Sequence, residues 1–252
     1  MINIHPTAIV SKKAKIGNNV KIGQFTTIYD NVEIGDNVKI DGYCEIGVSN
    51  NLSGGRVLYI GNNSHIRSHS IFYEDSYFAD GLITGHRATV REKTIAGKNF
   101  QIGTLCDIQG HCNIGDYVRM HSNVHIGQKS KVGNFVWIFP YVVLTNDPHP
   151  PSDILQGVTI EDFSVIATMT TILPNTIVAK GCLIGAGSIL NVNTEPHMVY
   201  VGNPAKKVCP AAKIRLKDGT RNPAYPWINH FKRGYPEDVT KQWEKIINEE
   251  NV

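Results

Sequence analysis

Along most of this chain an aliphatic residue returns at every sixth position. Ile4, Val10, Ile16, Ile22, Ile28, Ile34, Ile40 and Ile46 make the first run. A second run passes from Ile60 through Ile102, Ile108, Ile114 and Ile126 to Leu144, and a third from Ile160 to Leu190. Two residues before the aliphatic position there is almost always a small residue or valine, such as Ala14, Val20, Thr26, Ser64, Val118 or Ser188. Residues two apart on a strand share a face. The pattern therefore predicts very short strands that turn one bulky and one small side chain inward, with turns between them. Glycine often follows the aliphatic residue, as at Gly17, Gly35, Gly103 and Gly133, which suits a corner of unusual backbone angles.

A short fixed period is the mark of a repeat architecture, and a period of six points to a parallel β-helix. Three units close a triangular coil of about 18 residues, and coils stack at about 4.8 Å, the spacing of paired strands. The three runs amount to about nine to ten coils, each touching only its neighbours.

The register slips twice. Ile46 to Ile60 is a step of 14 and Leu144 to Ile160 a step of 16, so residues near 47–59 and 145–159 are expected to leave the prism as loops. Polar loops on a rigid scaffold commonly carry function. The unit around Thr84 is weak in the pattern and is expected to be a distorted turn or part of a site. The repeat fades after Thr194-Glu195-Pro196, and Gly202-Asn203-Pro204-Ala205-Lys206 leads out of it. We expect one β-helical domain over 1–208 and a tail over 209–252. Within the tail, Glu237 to Glu249 has helical spacing, with Val239, Trp243, Ile246 and Ile247 on one side.

A formal charge of +3 over 252 residues gives no argument for nucleic acid. No apolar run approaches a membrane span, and no secretory pattern opens the chain, so a cytoplasmic protein is expected. Cys44, Cys106, Cys112 and Cys182 all occupy the small inward position and read as core residues rather than a disulfide framework.

These features resemble the hexapeptide-repeat acyltransferases, over roughly residues 1–208. The resemblance implies an all-β fold, a left-handed parallel β-helix with a short irregular and α-helical tail. Ile184-Gly185-Ala186-Gly187-Ser188 with Val201-Gly202-Asn203-Pro204-Ala205-Lys206 is similar to the family's coenzyme A-binding end. Val143-Leu144-Thr145-Asn146-Asp147 before a loop is similar to the acceptor entry of the nucleotide-sugar N-acetyltransferases, particularly those acting on dTDP-3-amino-3,6-dideoxyhexoses. The resemblance implies an acetyl-CoA-dependent N-acetyltransferase in surface-polysaccharide biosynthesis. It also implies a homotrimer with its sites between adjacent prisms, and no metal.

The period offers a site. Residues one coil apart stack, so Asn146, Gln128, Gly110 and Glu92 share one edge. That column holds no histidine. A sugar hydroxyl needs a general base to attack a thioester, whereas a neutral amine needs orientation and a stabilised oxyanion. Asn146 and Gln128 are the expected catalytic amides, with Glu92 on a sugar hydroxyl. The alternative is O-acetyl transfer with His149, in the loop beside Asp147, as the base. His125, His86, Arg87, Arg91 and Asp147 are further candidates for the nucleotide-sugar, the arginines beside Arg67 and Lys93 for its pyrophosphate. The resemblance implies Ala167, Thr168, Gly185, Ala186 and Lys206 for the acyl donor. A metal-bearing reading rests on His111, His121 and His125, whose spacing departs from the paired histidines such sites require.

Overall fold

The computed structural model describes residues 2–250, with side chains through Trp243. Two-residue strands succeed one another around three flat faces. Face 1 begins at Asn3–Ile4, face 2 at Ile9–Val10 and face 3 at Lys15–Ile16, and each pairs in parallel with the strand one coil later. The register holds to the coil length expected from the period, as in Asn3 with Lys21 and Asp107 with His125. Nine full coils and part of a tenth form a nearly all-β prism of the left-handed, hexapeptide-repeat kind. Met198–Gly202 then adds a further parallel rung to face 1, and Ala205–Pro210 pairs with it antiparallel.

The aliphatic column fills the prism axis, with Ile28, Ile46, Ile66, Ile108, Ile126 and Ile184 essentially inaccessible to solvent. The small inward positions hold Val20, Cys44, Ser64 and Thr170 beside them. Their hydroxyls are not orphaned. Ser64 Oγ donates to the Gly61 carbonyl at 2.7 Å and accepts from the Leu82 N–H at 3.2 Å. Burial raises the Cys44, Cys106 and Cys112 thiols to about 11, so these cysteines are packing groups.

Two local expectations are corrected. Apart from Gly47, at φ 90°, the glycines after the aliphatic residues are not there for unusual dihedrals: positive φ falls two residues later, at Asn19, Phe25, Leu105 and Phe135 among others. What excludes a side chain is the next coil. A Cβ on Gly103 would stand 2.3 Å from the carbonyl carbon of His121. The weak unit around Thr84 is a regular rung, because Thr84 is buried in the aliphatic column and its Oγ1 accepts from the Arg67 N–H at 2.8 Å.

Both loops leave from the edge between faces 2 and 3. One follows Glu45–Val48 and returns at Leu58–Ile60, so that Glu33 pairs with Tyr59 across a lengthened coil. The other follows Val143–Leu144 and returns at Thr159–Ile160, which lengthens the coil between Lys131 and its partner Thr159 in the same way. The tail crosses back over face 1. Trp227, Ile228, Tyr235, Val239 and Trp243 bury themselves against Phe135, Trp137, Phe163 and Val165, a second apolar cluster outside the prism. The single α-helix among the described residues runs from Glu237 to Glu250; the side chains of Ile246 and Ile247 lie outside the described residues. No helix among the described residues is long and apolar enough to cross a membrane.

Candidate functional site

Four rungs separate the two loops along their shared edge, so the loops stand about 24 Å apart at the strand spacing. The rungs between them present a window whose floor is the edge and whose side is face 2.

The first loop closes its end of the window through three buried carboxylates. Asn50 Nδ2 donates to Glu92 Oε2 at 2.9 Å, and Ser53 Oγ to Glu74 Oε1 at 2.5 Å. The Gly54 N–H donates to Asp75 Oδ2 at 2.9 Å, and Arg56 pairs with Asp75 at 2.7 Å. Glu92 has no solvent exposure, and Arg91 also reaches its two oxygens at 3.2 and 3.3 Å. Its carboxylate is thus committed to the loop and to Arg91 rather than open to a sugar.

Burial alone would raise the Glu92 carboxyl, but the Asn50 hydrogen bond and the Arg91 charge outweigh it and hold it below its ordinary 4.5. A depressed carboxyl stabilises the fold above its unfolded value. That stability is lost as pH falls from about 4.5 through the lower folded value. Protection factors for amide hydrogen exchange in residues 49–56, taken relative to the intrinsic rate at each pH, are therefore expected to fall on acidification through this range. Glu92→Gln should exchange faster already at neutral pH. Equal protection of this loop in both proteins at pH 7 would remove Glu92 as its anchor.

Beyond the clamp, face 2 carries Asp107 and His125 on adjacent strands, directly paired in register. His125 Nδ1 lies 3.1 Å from Asp107 Oδ2, and Gln109 Nε2 donates to the same oxygen at 2.6 Å. The His125 bond, then that of Gln109, hold the Asp107 carboxyl below the usual carboxylate range. An ionised Asp107 requires Nδ1 to be the donor, which leaves Nε2 of a neutral imidazole as an acceptor. His125 remains 40% exposed, so this nitrogen is accessible. This pairing of a carboxylate and an imidazole is the arrangement of an oriented base.

Gln128 and Asn146 do share the edge: the Gly127 N–H donates to the Leu144 carbonyl, and a Cβ on Gly127 would meet that of Asn146. Both are half-buried, and neither side chain hydrogen-bonds any described residue. Between Glu92 and Gln128 the column holds Gly110, buried and at φ 89°. One residue further round, the stacked column reads Lys93, His111, Lys129. Burial, then the Lys93 charge, lower the His111 imidazole, so it is neutral at neutral pH. Counting back from Asn146 alone passes over His111 by one position; the same count from Lys129 leads to it.

The other expected residues are dispersed. His149 is exposed in the second loop, and Asp147 accepts from its backbone N–H at 3.0 Å and from Ser152 Oγ at 2.7 Å. No hydrogen bond joins the Asp147 carboxylate to the His149 ring among the described residues. His86 and Arg87 lie with Arg67 on the edge between faces 1 and 2, one face away from Arg91 and Lys93, so Arg67, Arg87, Arg91 and Lys93 form no single cluster. Ala167, Thr168, Gly185 and Ala186 also follow face 1 on that edge, where the Ala167 N–H donates to the Ile184 carbonyl. Lys206 is exposed on the last hairpin. Ala167, Thr168, Gly185 and Ala186 thus share the face 1–face 2 edge with His86 and Arg87, whereas Glu92, Gln128 and Asn146 lie on the opposite edge of face 2. His111, His121 and His125 are divided among two edges and face 2, and no group of three metal-ligating side chains occurs among the described residues.

Coils, register and corner geometry define a hexapeptide-repeat parallel β-helix with a loop-flanked edge site. Residues 13–47 match the family model described as bacterial transferase hexapeptide, six repeats. The chain is 27% identical over 205 residues to the bifunctional protein GlmU of Thermotoga sp. strain RQ2, an alignment that takes in 81% of this chain and 38% of that protein. The chain thus spans well under half the length of that relative. It is also 27% identical to the acyl-[acyl-carrier-protein]–UDP-N-acetylglucosamine O-acyltransferase of Campylobacter concisus, over 81% of this chain and 72% of that one. Among solved structures, LpxA from Bacteroides fragilis, a UDP-N-acetylglucosamine acyltransferase, superposes with a TM-score of 0.51 at 21% identity, covering 81% of this chain and 73% of that one. That superposition speaks to the fold.

Proposed function

We propose that this chain is an acyltransferase that moves an acyl group from a thioester to a nucleotide-linked sugar, with His125 as general base. The observation that carries the reading is the Asp107–His125 pair on face 2, beside the edge bearing Gln128 and Asn146. His125 Nε2 takes the proton of the acceptor hydroxyl as its oxygen attacks the thioester carbonyl. The tetrahedral oxyanion accepts hydrogen bonds from an amide of the window. It then collapses with loss of the thiolate, which takes the proton back from the imidazolium. Asp107 holds the tautomer and stabilises the cation formed in transit. The name of one relative, an O-acyltransferase of UDP-N-acetylglucosamine, agrees with a hydroxyl acceptor.

N-acetylation of an amino sugar is the second reading, favoured by the two unengaged amides of Gln128 and Asn146. A neutral amine needs orientation more than a base. The separation of Ala167 and Gly185 on one edge of face 2 from Gln128 and Asn146 on the other supports a homotrimer in which one prism's donor edge meets its neighbour's window. Acetyl-CoA and an acyl carrier protein thioester are the donors to compare. The test is a matched panel of hydroxyl and amino nucleotide-sugars, UDP- and dTDP-linked, with each donor, read by product mass. Acylation of the hydroxyl sugars supports the first reading. Acylation of amino sugars alone supports the second, and no acylated product with any pair would remove both.

A further inference from the structure

The tail does more than cover apolar surface. Where it crosses face 1 it leaves a trough formed by two adjoining cavities of about 460 and 280 Å3, which share His121, Trp137, Phe231 and Arg233. Arg67 and Arg119 both line the larger of the two. Arg119 lies between aromatic rings, 4.8 Å from the centroid of Trp137 and 4.2 Å from that of Tyr235, with Nη2 donating to the Gly234 carbonyl at 2.7 Å. Arg233 stacks on Phe231 at 5.6 Å. No carboxylate lines either cavity, and none pairs with Arg67, Arg119 or Arg233 among the described residues. Burial, together with repulsion from Arg233, lowers the Arg119 guanidinium, and burial and Arg119 lower His121, which is therefore neutral.

Arg119 and Arg233 lie together without a counter-charge, and Arg67 lines the same cavity about three rungs along, so the trough favours an anion. Guanidinium groups match phosphate oxygens in pairs. Aromatic faces beside them suit a flat heterocycle, which stacks on side-chain rings whatever its exact identity. Taken together the two cavities fall within the size range of small-molecule sites. His121 and Phe139, stacked at 4.7 Å, occupy the corner just past face 1, in the same column as Ala167 and Gly185.

From this arrangement we propose that the trough between the tail and face 1 binds a phosphorylated nucleoside, its base against Trp137 and Phe231 and its phosphates on Arg67, Arg119 and Arg233. Two sources supply that chemistry, the nucleotide of a nucleotide-sugar and the phosphoadenosine of coenzyme A. The site itself does not depend on the acyl-transfer reading.

All three tryptophans of the chain lie in the tail cluster, so intrinsic fluorescence reports on it directly. Full-length protein is titrated with UDP, adenosine 3′,5′-bisphosphate, uridine and inorganic pyrophosphate, followed by fluorescence and calorimetry. Saturable binding is expected for UDP or for the bisphosphate, whichever is tighter marking the source. Uridine and pyrophosphate should each bind roughly tenfold more weakly or worse, since each lacks one half of the contacts. Arg233→Ala removes an exposed cation, and Phe231→Leu removes the stack while keeping apolar bulk. Each should weaken nucleotide binding about tenfold, Arg233→Ala with an unchanged Tm and Phe231→Leu, whose native ring also packs against the tail cluster, with the near-UV aromatic signal of the docked tail retained.

No saturable binding by either nucleotide, pyrophosphate binding as tightly as both, or unaltered affinity in the two variants would overturn the site. Arg233-sensitive binding without acyl transfer would retain the trough and reject the proposed reaction. Acyl transfer with binding indifferent to both variants would do the reverse.

Discussion

Replacing His125 with alanine is expected to lower kcat for acyl transfer by roughly 10²–10⁴-fold, the usual contribution of a positioned general base. The substituted side chain is partly exposed on face 2 and packs against no apolar core, so stability should change by no more than about 0.5 kcal/mol. Sugar KM should stay within a few-fold, because proton removal belongs to the transition state rather than to ground-state binding. Asp107→Asn should reduce kcat in the same direction. Its amide can present either a donor or an acceptor to Nδ1, so the tautomer that leaves Nε2 free is no longer enforced. Partial recovery of the alanine variant by added imidazole would support a role in proton transfer. An undiminished kcat in His125→Ala would transfer the role elsewhere, with His111 and His149 next to be replaced in turn.

A second large effect is expected in the tail. Trp243 is 1% exposed and meets Phe135, Trp227 and Tyr235 edge-on at 4.8 to 5.4 Å. Trp243→Ala deletes the largest fully buried side chain and should cost about 3–5 kcal/mol of tail docking, by lost transfer energy and an incompletely closed cavity. A solenoid is stabilised rung by rung, so the loss should stay local. Far-UV circular dichroism of the prism should persist while the near-UV aromatic signal falls. Limited proteolysis should then cut within residues 211–243, and denaturant unfolding should separate into an early tail transition and a later prism transition. A single unshifted transition would show that the tail is held by something other than this cluster. Since Phe231 and Arg233 belong to the same segment, nucleotide binding at the trough should fail together with docking.

Much of the site's scaffold is legible in the order of residues. Stacking of Gln128 on Asn146 follows from counting one coil along the chain. Ejection of the loops follows from steps that are not multiples of six. That both leave the same edge is contained in the same arithmetic, since each follows a face 2 aliphatic residue, Ile46 or Leu144. Direct register between Asp107 and His125 is equally available, since both immediately precede an aliphatic position one coil apart. The corner column alone does not contain that pair, because it lies on a flat face. Glu92 shows the opposite limit. Its corner position is correct, yet nothing in the period says that Asn50, 42 residues earlier, folds back onto its carboxylate. Corner glycines are legible by position but not by cause, because close approach between coils and freedom of φ both select glycine.

Side-chain alternation and a repeating step are properties of neighbouring residues, and they are enough to determine the prism, its axis of aliphatic residues and the coil-to-coil columns. A loop or tail has no period, and its resting place depends on which distant surface it can cover or bond. Burial of Glu74, Asp75 and Glu92 beneath the first loop, the aromatic docking of Trp227 and Trp243 on face 1, and the arginine-lined trough beside it were therefore decided only in three dimensions.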